Sequence, residues 1–300
     1  MSLIETSSLG KRFNDTEAVK QLNLSVREGA CTALLGPNGA GKTTTLNMLT
    51  GLMKPTEGTI QFDAAYEGDR RNYLGYLPQY PKFFGWMSGE EYLIFAAELA
   101  GLPKKQAKIS ASEMLELIGL QDDGKKRISG YSGGMKQRLG IAQALVHSPK
   151  LIILDEPVSA LDPIGRREVL ELMKRLKTHT SILFSTHVLH DAEEVSDDIF
   201  IMNKGTVVIE GSLRELQQTH QKPAFFLETE KSPEEWLHTL KEQDWVVDWE
   251  LDHHRLMITV DNMEKARANL LKDEHLHELK LVKFEVAKTS LEDLFMKVIS

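Results

Sequence analysis

The sequence predicts an α/β fold built around a phosphate-binding loop, followed by a smaller α+β module. Three observations carry this. The apolar runs "ACTALLG", "LIILDEP" and "SILFSTH" alternate with helical patterns, as buried parallel strands alternate with crossover helices. "GPNGAGKTT", from Gly36 to Thr44, fits G-x-x-x-x-G-K-[ST] between such a strand and a helix. After "QKP" at 221–223 the rhythm changes to short elements in the order βαββαβ, the pattern of a split βαβ, ferredoxin-like module.

In chain order, "AVKQLNLSVREG" alternates like a half-buried strand, and "ACTALLG" is a continuous apolar strand. "GKTTTLNMLTGL" reads as a helix closed near Gly51, with Pro55 beyond. "GTIQFD" and "NYLGYLP" are short strands. From about residue 88 to 128 the pattern is helical, in "SGEEYLIFAAELAGL" and "QAKISASEMLELIGL". Ser88 and Glu91 form a capping box, so this stretch is a helical insert in the α/β domain. The alternation then resumes with "LIILDEP", "GRREVLELMKRLK", "SILFSTH" and "HDAEEVSD". "DIFIMNKGTVVIEG" makes two strands around Asn203-Lys204-Gly205. "SLRELQQTH" closes a domain of residues 1–220.

Residues 223–300 form the second module. "AFFLETE" is a strand, "SPEEWLHTLKEQ" a helix, and "WVVDWELD" and "RLMITVD" a hairpin around Asp252-His253-His254. "NMEKARANLLKDE" is a helix, "HELKLVKFEVA" a strand and "SLEDLFMKVIS" a closing helix. A metal-site reading of its histidines is weak. His253 and His254 are adjacent and point to opposite faces of a strand, and His275 and His277 share a face with no further ligand in view.

Composition limits the function classes. The 300 residues are 41% hydrophobic and 27% charged, with a net charge of −8. That is an ordinary globular mix with no general affinity for nucleic acid. The single cysteine, Cys31, excludes an internal disulfide and reads as a core residue in a reducing compartment. The start "MSLIETSSLGKRF" lacks the apolar stretch of a signal peptide. No apolar run approaches the roughly 20 residues that span a bilayer. If the protein works at a membrane, another chain supplies the membrane part.

The phosphate loop is the strongest local signal. Its glycines let the backbone curl so that consecutive N–H groups face a phosphate, and the helix dipole adds partial positive charge. Lys42 can reach the β- and γ-phosphates, and the Thr43 hydroxyl can ligate Mg²⁺. "LIILDEP" ends a buried strand with Asp155 and Glu156. Near a phosphate loop, Asp155 can hold Mg²⁺ and Glu156 can polarise an attacking water. Alone, the pair would read as solvated carboxylates. His187 ends another buried strand. It is either a hydrogen-bonded strand-end histidine or a group that meets the γ-phosphate. Gln79 follows a short strand and alone is an ordinary loop glutamine. "YSGGMKQR", Tyr131 to Arg138, is a second helix start with outward N–H groups. Met135, Leu139, Ala142 and Leu145 then form one apolar face.

In this order, "GPNGAGKTT", Gln79, "YSGGMKQR", "LIILDEP", "SALD" (159–162) and His187 resemble an ATP-binding cassette (ABC) ATPase across residues 3–220. The resemblance implies an ABC-type P-loop NTPase fold with an antiparallel β subdomain, and ATP with Mg²⁺ as ligands. Phe13 stands where the family places an aromatic that stacks on adenine. Gly36, Pro37, Asn38, Gly39, Ala40, Gly41, Lys42, Thr43 and Thr44 are the ATP-binding loop. Thr43, Gln79 and Asp155 are the Mg²⁺ positions, and Glu156, His187 and Gln79 the catalytic ones. Ser132, Gly133 and Gly134 are implied to bind the ATP of a second subunit, in a head-to-tail dimer with two composite sites. Tyr131 departs from the family, where many members have Leu, and its packing is the open question.

Two uses of the ATP remain. In the first, a homodimer or heterodimer drives a separate multi-span permease from the cytoplasmic, inner face of the cell membrane. "QYPKFFGWMSGEEYL", 79–93, lies where transporter cassettes receive the permease. Gln79, Phe83, Phe84 and Trp86 there either form a docking surface or fold inward onto the helical insert. The tail "FEVAKTSLEDLFMKVIS" resembles the ending of export-branch subunits, of the drug-, lipid- or ion-efflux type. The second module is then regulatory or dimer-supporting. In the alternative, a soluble ABC ATPase works with a non-membrane scaffold or assembly partner.

Overall fold

A computed structural model describes residues 2–66, 68–219 and 223–287, together with Leu291, Glu292 and Phe295. Packing divides the chain into two compact units, with the division along the sequence between Leu213 and Arg214. The expected boundary at 220–223 falls on residues 220–222, which lie outside the described residues.

The first unit opens with two long strands, β1 (Ser2–Phe13) and β2 (Thr16–Arg27), then β3 (Cys31–Leu35) and α1 (Lys42–Leu49). β4 (Glu57–Phe62) returns to β1, giving an antiparallel sheet in the order β2-β1-β4. β5 (Leu74–Leu77) precedes the insert helices α2 (Gly89–Leu99) and α3 (Lys104–Leu117). The Ser88–Glu91 capping box forms as the sequence indicates. α4 (Gly133–Leu145), β6 (Leu151–Asp155), α5 (Pro163–Leu176), β7 (Ser181–Thr186) and α6 (Leu189–Val195) follow. β8 (Asp198–Asn203) and β9 (Thr206–Ser212) close the unit.

The central sheet runs β5-β6-β7-β3-β8-β9, parallel except for β9. Every residue of β3, β6 and β7 is buried, which is why these strands read as unbroken apolar runs. Each fully buried Leu, Ile or Phe contributes roughly 1.5–3 kcal/mol, so the strand ends that carry the chemistry rest on a stiff base. Cys31 is fully buried, and burial pushes its thiol pKa up, as a core residue requires. The β8–β9 hairpin turns through Lys204 (φ 46°) and Gly205 (φ 89°), a two-residue turn that needs left-handed backbone twice.

The second unit starts in α7 (Leu213–Thr219) and continues with β10 (Ala224–Thr229), α8 (Glu234–Leu240), β11 (Val246–Asp252) and β12 (Arg255–Val260). α9 (Met263–Leu270), α10 (His275–Glu278) and β13 (Leu281–Val286) complete it. The sheet order β11-β12-β10-β13 is all antiparallel and matches the ferredoxin-like reading. Its core holds Phe225, Leu227, Trp236, Trp245 and Ile258, with Phe225 stacked on Phe284 at 5.2 Å.

Two expectations change. The strand read from "HELKLVKFEVA" begins only at Leu281, because Glu274 and His275 open a helical turn whose last carbonyls are capped at Leu279. His275 and His277 therefore sit two residues apart on a helix, on different sides, and share no strand face. His275 bonds Asp273, and no cluster of three metal-ligating side chains occurs among the described residues. Most of the closing helix "SLEDLFMKVIS" lies outside the described residues.

Candidate functional site

The loop from Gly36 to Gly41 joins buried β3 to α1. Gly39 (φ 81°) and Gly41 (φ 102°) take left-handed backbone, and a β-carbon on Gly41 would press on the Ala18 carbonyl at 2.5 Å. The loop thus makes its left-handed bends at glycines, where no β-carbon obstructs them. It borders a cavity of about 450 Å³ walled by Ala18, the stretch Asn38 to Thr44, Gln79 and Glu156.

Lys42 is buried, and its Nζ donates to the Gly36 carbonyl at 2.7 Å and the Pro37 carbonyl at 3.3 Å. The same ammonium lies 3.4 Å from Oε1 of Glu156. On the other side, Nδ1–H of His187 donates to Oε2 of Glu156 at 2.9 Å, since a carboxylate only accepts. Glu156 is therefore held between a cation and an imidazole. It sits at φ 50°, a left-handed conformation rare for a residue with a side chain. Such strain costs on the order of 1–3 kcal/mol and collects at functional sites. The flip at the end of β6 turns Glu156 toward the loop.

Asp155 precedes Glu156 at the end of β6 and feels the charge of the same lysine. Its Oδ1 accepts from Thr43 Oγ1 at 3.2 Å and from Ser185 Oγ at 2.6 Å. Its Oδ2 is buried without a partner. Burial pushes the Asp155 carboxyl above its usual range, against the pull of these two hydroxyls. Ser185 also accepts the Glu156 N–H at 2.9 Å, so one hydroxyl fixes both carboxylate residues. Sequence reasoning passed over Ser185. The available signal was a hydroxyl following the apolar run Ile182–Phe184 in the buried strand "SILFST".

Of the expected residues, Gln79 and Glu156 line the cavity with the loop, while Asp155 and His187 join it through Thr43 and Glu156. Phe13 lies at the β1–β2 turn, 45% exposed, with Lys11 Nζ 5.3 Å from its ring centre. Ser132, Gly133 and Gly134 do not line this cavity. Ser132 caps α4, accepting the Met135 N–H at 3.2 Å, and Gly134 packs on Gly165 at the start of α5. Tyr131 is buried, and its hydroxyl donates to the Asp123 carbonyl at 2.8 Å.

The aromatic loop divides. Phe83 turns inward, its ring meeting Tyr92 at 5.2 Å. Phe84 and Trp86 turn outward, 49% and 71% exposed, with ring centres 6.0 Å apart. The loop backbone is tied to the segment before Ser132: Ile128 N–H donates to the Met87 carbonyl at 2.9 Å and Ser129 N–H to the Gly85 carbonyl at 3.1 Å. Among the described residues no helix is long and apolar enough to cross a membrane.

Comparison with known proteins agrees with this geometry. Residues 19–159 match the ABC transporter family, and residues 211–299 match the C-terminal domain of DrrA1-3-like ATP-binding proteins. The uncharacterized ABC transporter ATP-binding protein YxlF of Bacillus subtilis is 48% identical over 297 residues, covering 99% of each chain. The bacitracin transport ATP-binding protein BcrA of Bacillus licheniformis is 35% identical, covering 99% of this chain and 97% of that one. The linearmycin resistance ATP-binding protein LnrL of Bacillus subtilis is 30% identical, covering 99% and 98%. Among solved structures, cbiO1 from Clostridium perfringens, part of an ABC transporter complex, superposes with a TM-score of 0.65 at 30% identity. It covers 72% of this chain and 90% of its own. A dimeric post-hydrolysis ATP-binding cassette bound to ADP and Pi gives 0.62 at 26% identity, covering 71% and 99%. The phosphate loop, the two carboxylates after β6 and these full-length relatives lead to one conclusion: the chain belongs to the ATP-binding proteins of ABC transporters.

Proposed function

We propose that the chain is the motor of an exporter, working as a head-to-tail dimer on a separate permease at the inner face of the cell membrane. The observation that carries the catalytic reading is Glu156 strained between Lys42 and His187, at the edge of the phosphate-loop cavity. When ATP enters, its phosphates compete for Lys42, and the loop N–H groups accept the negative charge. Glu156 then loses its cationic partner and is left as the base for an attacking water. His187 orients that carboxylate and reaches toward the γ-phosphate. Phe13 stacks on adenine.

The residues present fit Mg²⁺. Asp155 Oδ2 is a buried oxygen with no protein partner, and Thr43 Oγ1 sits beside the same carboxylate, both hard oxygen donors. Thr43, Asp155 and Gln79 would hold the ion, which supplies charge neutralisation on the β- and γ-phosphates.

The second subunit supplies Ser132, Gly133 and Gly134 to the same ATP. Their position away from the subunit's own cavity supports this, as does the dimeric ADP-bound relative. Phe84 and Trp86 form the permease-docking surface together with exposed Phe95 and Leu99. The full-length likeness to bacitracin transport and linearmycin resistance proteins supports export.

Glu156→Gln tests the reading. ATP binding is expected to persist, with turnover lowered by roughly a thousandfold and dimers accumulating in ATP. Turnover near the wild-type rate would remove Glu156 as base, and a monomer at saturating ATP would remove the closure model.

A further inference from the structure

The end of β7 reaches Glu156 at two points. β6 and β7 are parallel neighbours, and their register sets Ser185 beside Asp155. Ser185 Oγ bonds the backbone N–H of Glu156 at 2.9 Å. His187, two residues on, bonds the carboxylate of the same glutamate, also at 2.9 Å. Amide and carboxylate of one residue are thus gripped from a single strand end.

Chemistry fixes the direction of the Ser185 bonds. An N–H only donates, so the hydroxyl oxygen accepts from Glu156. Its own proton then goes to Oδ1 of Asp155 at 2.6 Å, a length in the range of a hydroxyl bond to a carboxylate. Ser185 has no exposed surface, so bulk water does not reach either bond. Glu156 follows the last residue of β6 and takes φ 50°. Left-handed backbone at a residue with a side chain persists only where its surroundings hold it. Ser185 supplies the acceptor that does so. Removing the hydroxyl would take that acceptor away and leave Asp155 Oδ1 with Thr43 alone of its two hydroxyl donors. Ser185 does not line the cavity beside the phosphate loop. Its effect therefore belongs in turnover and not in ATP affinity.

We propose that Ser185 is a positioning residue for ATP hydrolysis. Through the Glu156 N–H it holds the backbone turn that points the Glu156 carboxylate at the phosphate loop. Through Asp155 it locks the two neighbouring carboxylates to each other. The inference rests on the reading of Glu156 as the base.

The test measures turnover and ATP affinity of the full chain, by phosphate release and filter binding, in Ser185→Ala, Ser185→Thr and Ser185→Val. Ser185→Ala is expected to lower kcat by roughly thirtyfold and to change the ATP Kd by less than about threefold. Thr and Val differ only by a hydroxyl in place of a methyl group, so that pair reads the bond apart from the volume. Ser185→Thr is expected to turn over at least about tenfold faster than Ser185→Val. Equal rates for the pair, or a kcat for Ser185→Ala within about threefold of wild type, overturn the proposal. So does an equal loss of kcat and ATP affinity, which would mean that the whole loop is disturbed. Added to Glu156→Gln, Ser185→Ala should slow the residual turnover by less than about threefold, since the base it positions is already gone. A further loss of about thirtyfold there would mean that Ser185 acts elsewhere. Full turnover in Glu156→Gln with Ser185 intact would instead remove the base, and this role of Ser185 with it.

Discussion

The hydroxyl of Tyr131 occupies the space that a β-carbon on residue 89 would need, and Gly89 leaves that space open. The same oxygen donates to the Asp123 carbonyl at 2.8 Å. The phenol thus ties the helical insert to the segment that enters α4. Gly89→Ala is expected to destabilise by about 1–3 kcal/mol, because a buried ring anchored at its far end cannot swing aside freely. Tyr131→Leu in the same chain should recover most of that loss, since Leu ends short of the contact. A melting-temperature cycle over the two single variants and the double variant measures the coupling. Additive losses would show that the ring moves away without cost.

That pair marks a limit of sequence reading. Tyr131 was visible as a departure at a recognisable motif, but its compensation lies 42 positions away in an unremarkable "SGEEYL". Only the fold brings the two together. The phosphate loop was legible because its spacing encodes its own curl. The strands β3, β6 and β7 were legible because burial on both faces leaves them with runs of apolar residues. Asp155 and Glu156 were legible as residues, whereas the strained flip that points Glu156 at Lys42 was not. Ser185 stayed hidden because hydroxyls at strand ends are common, and its role comes from the neighbouring strand. Of the aromatic loop, sequence alone could not divide inward Phe83 from outward Phe84 and Trp86, which differ only in which side of the turn they face.

Gly133 tests the proposed division between two kinds of ATP contact. It is exposed at the first turn of α4, and a β-carbon there would meet only Leu161 at an ordinary 3.7 Å. Gly133→Asp therefore folds, but in the proposed head-to-tail dimer it would place a carboxylate where the partner subunit's phosphates arrive. ATP binding by the isolated subunit should change by less than about twofold, while turnover falls by roughly a hundredfold or more. Filter binding beside a phosphate-release assay reads both. A parallel loss of binding would mean that α4 serves its own subunit's nucleotide.

Trp86 offers the opposite separation. Its ring is exposed and does not line the cavity beside Glu156. Trp86→Ala is expected to leave folding and nucleotide affinity of the isolated subunit unchanged. In cells it should lower recovery of the subunit with membranes, since aromatic anchors typically carry about 2 kcal/mol or more of an interface. Phe83→Ala should do the reverse and destabilise the subunit by about 3 kcal/mol, because that ring packs inward on Tyr92. Membrane recovery equal to wild type for Trp86→Ala would remove the ring from the docking surface.

Asp191 gives a prediction in pH. It sits on α6, one turn beyond His187, with no exposed surface. Its Oδ1 accepts two bonds from Arg166 of α5, at 2.9 and 2.6 Å, while its Oδ2 is buried without a partner. Burial pushes its carboxyl above the usual range, and the partly exposed Arg166 pulls it back only in part. The folded chain therefore binds this proton more tightly than the unfolded chain does. Its contribution is complete below the unfolded value near 3.9 and is lost as pH rises through the folded value. Asn keeps an acceptor for Arg166 without the buried charge. Asp191→Asn should then be more stable than wild type at neutral pH by about 1 kcal/mol, a gap that closes as the pH approaches about 4. Melting of the nucleotide-free protein across that range measures it. If the variant is the weaker one at neutral pH, the attraction of Arg166 outweighs burial, and the pair is a true stabiliser of the α5–α6 contact beside His187.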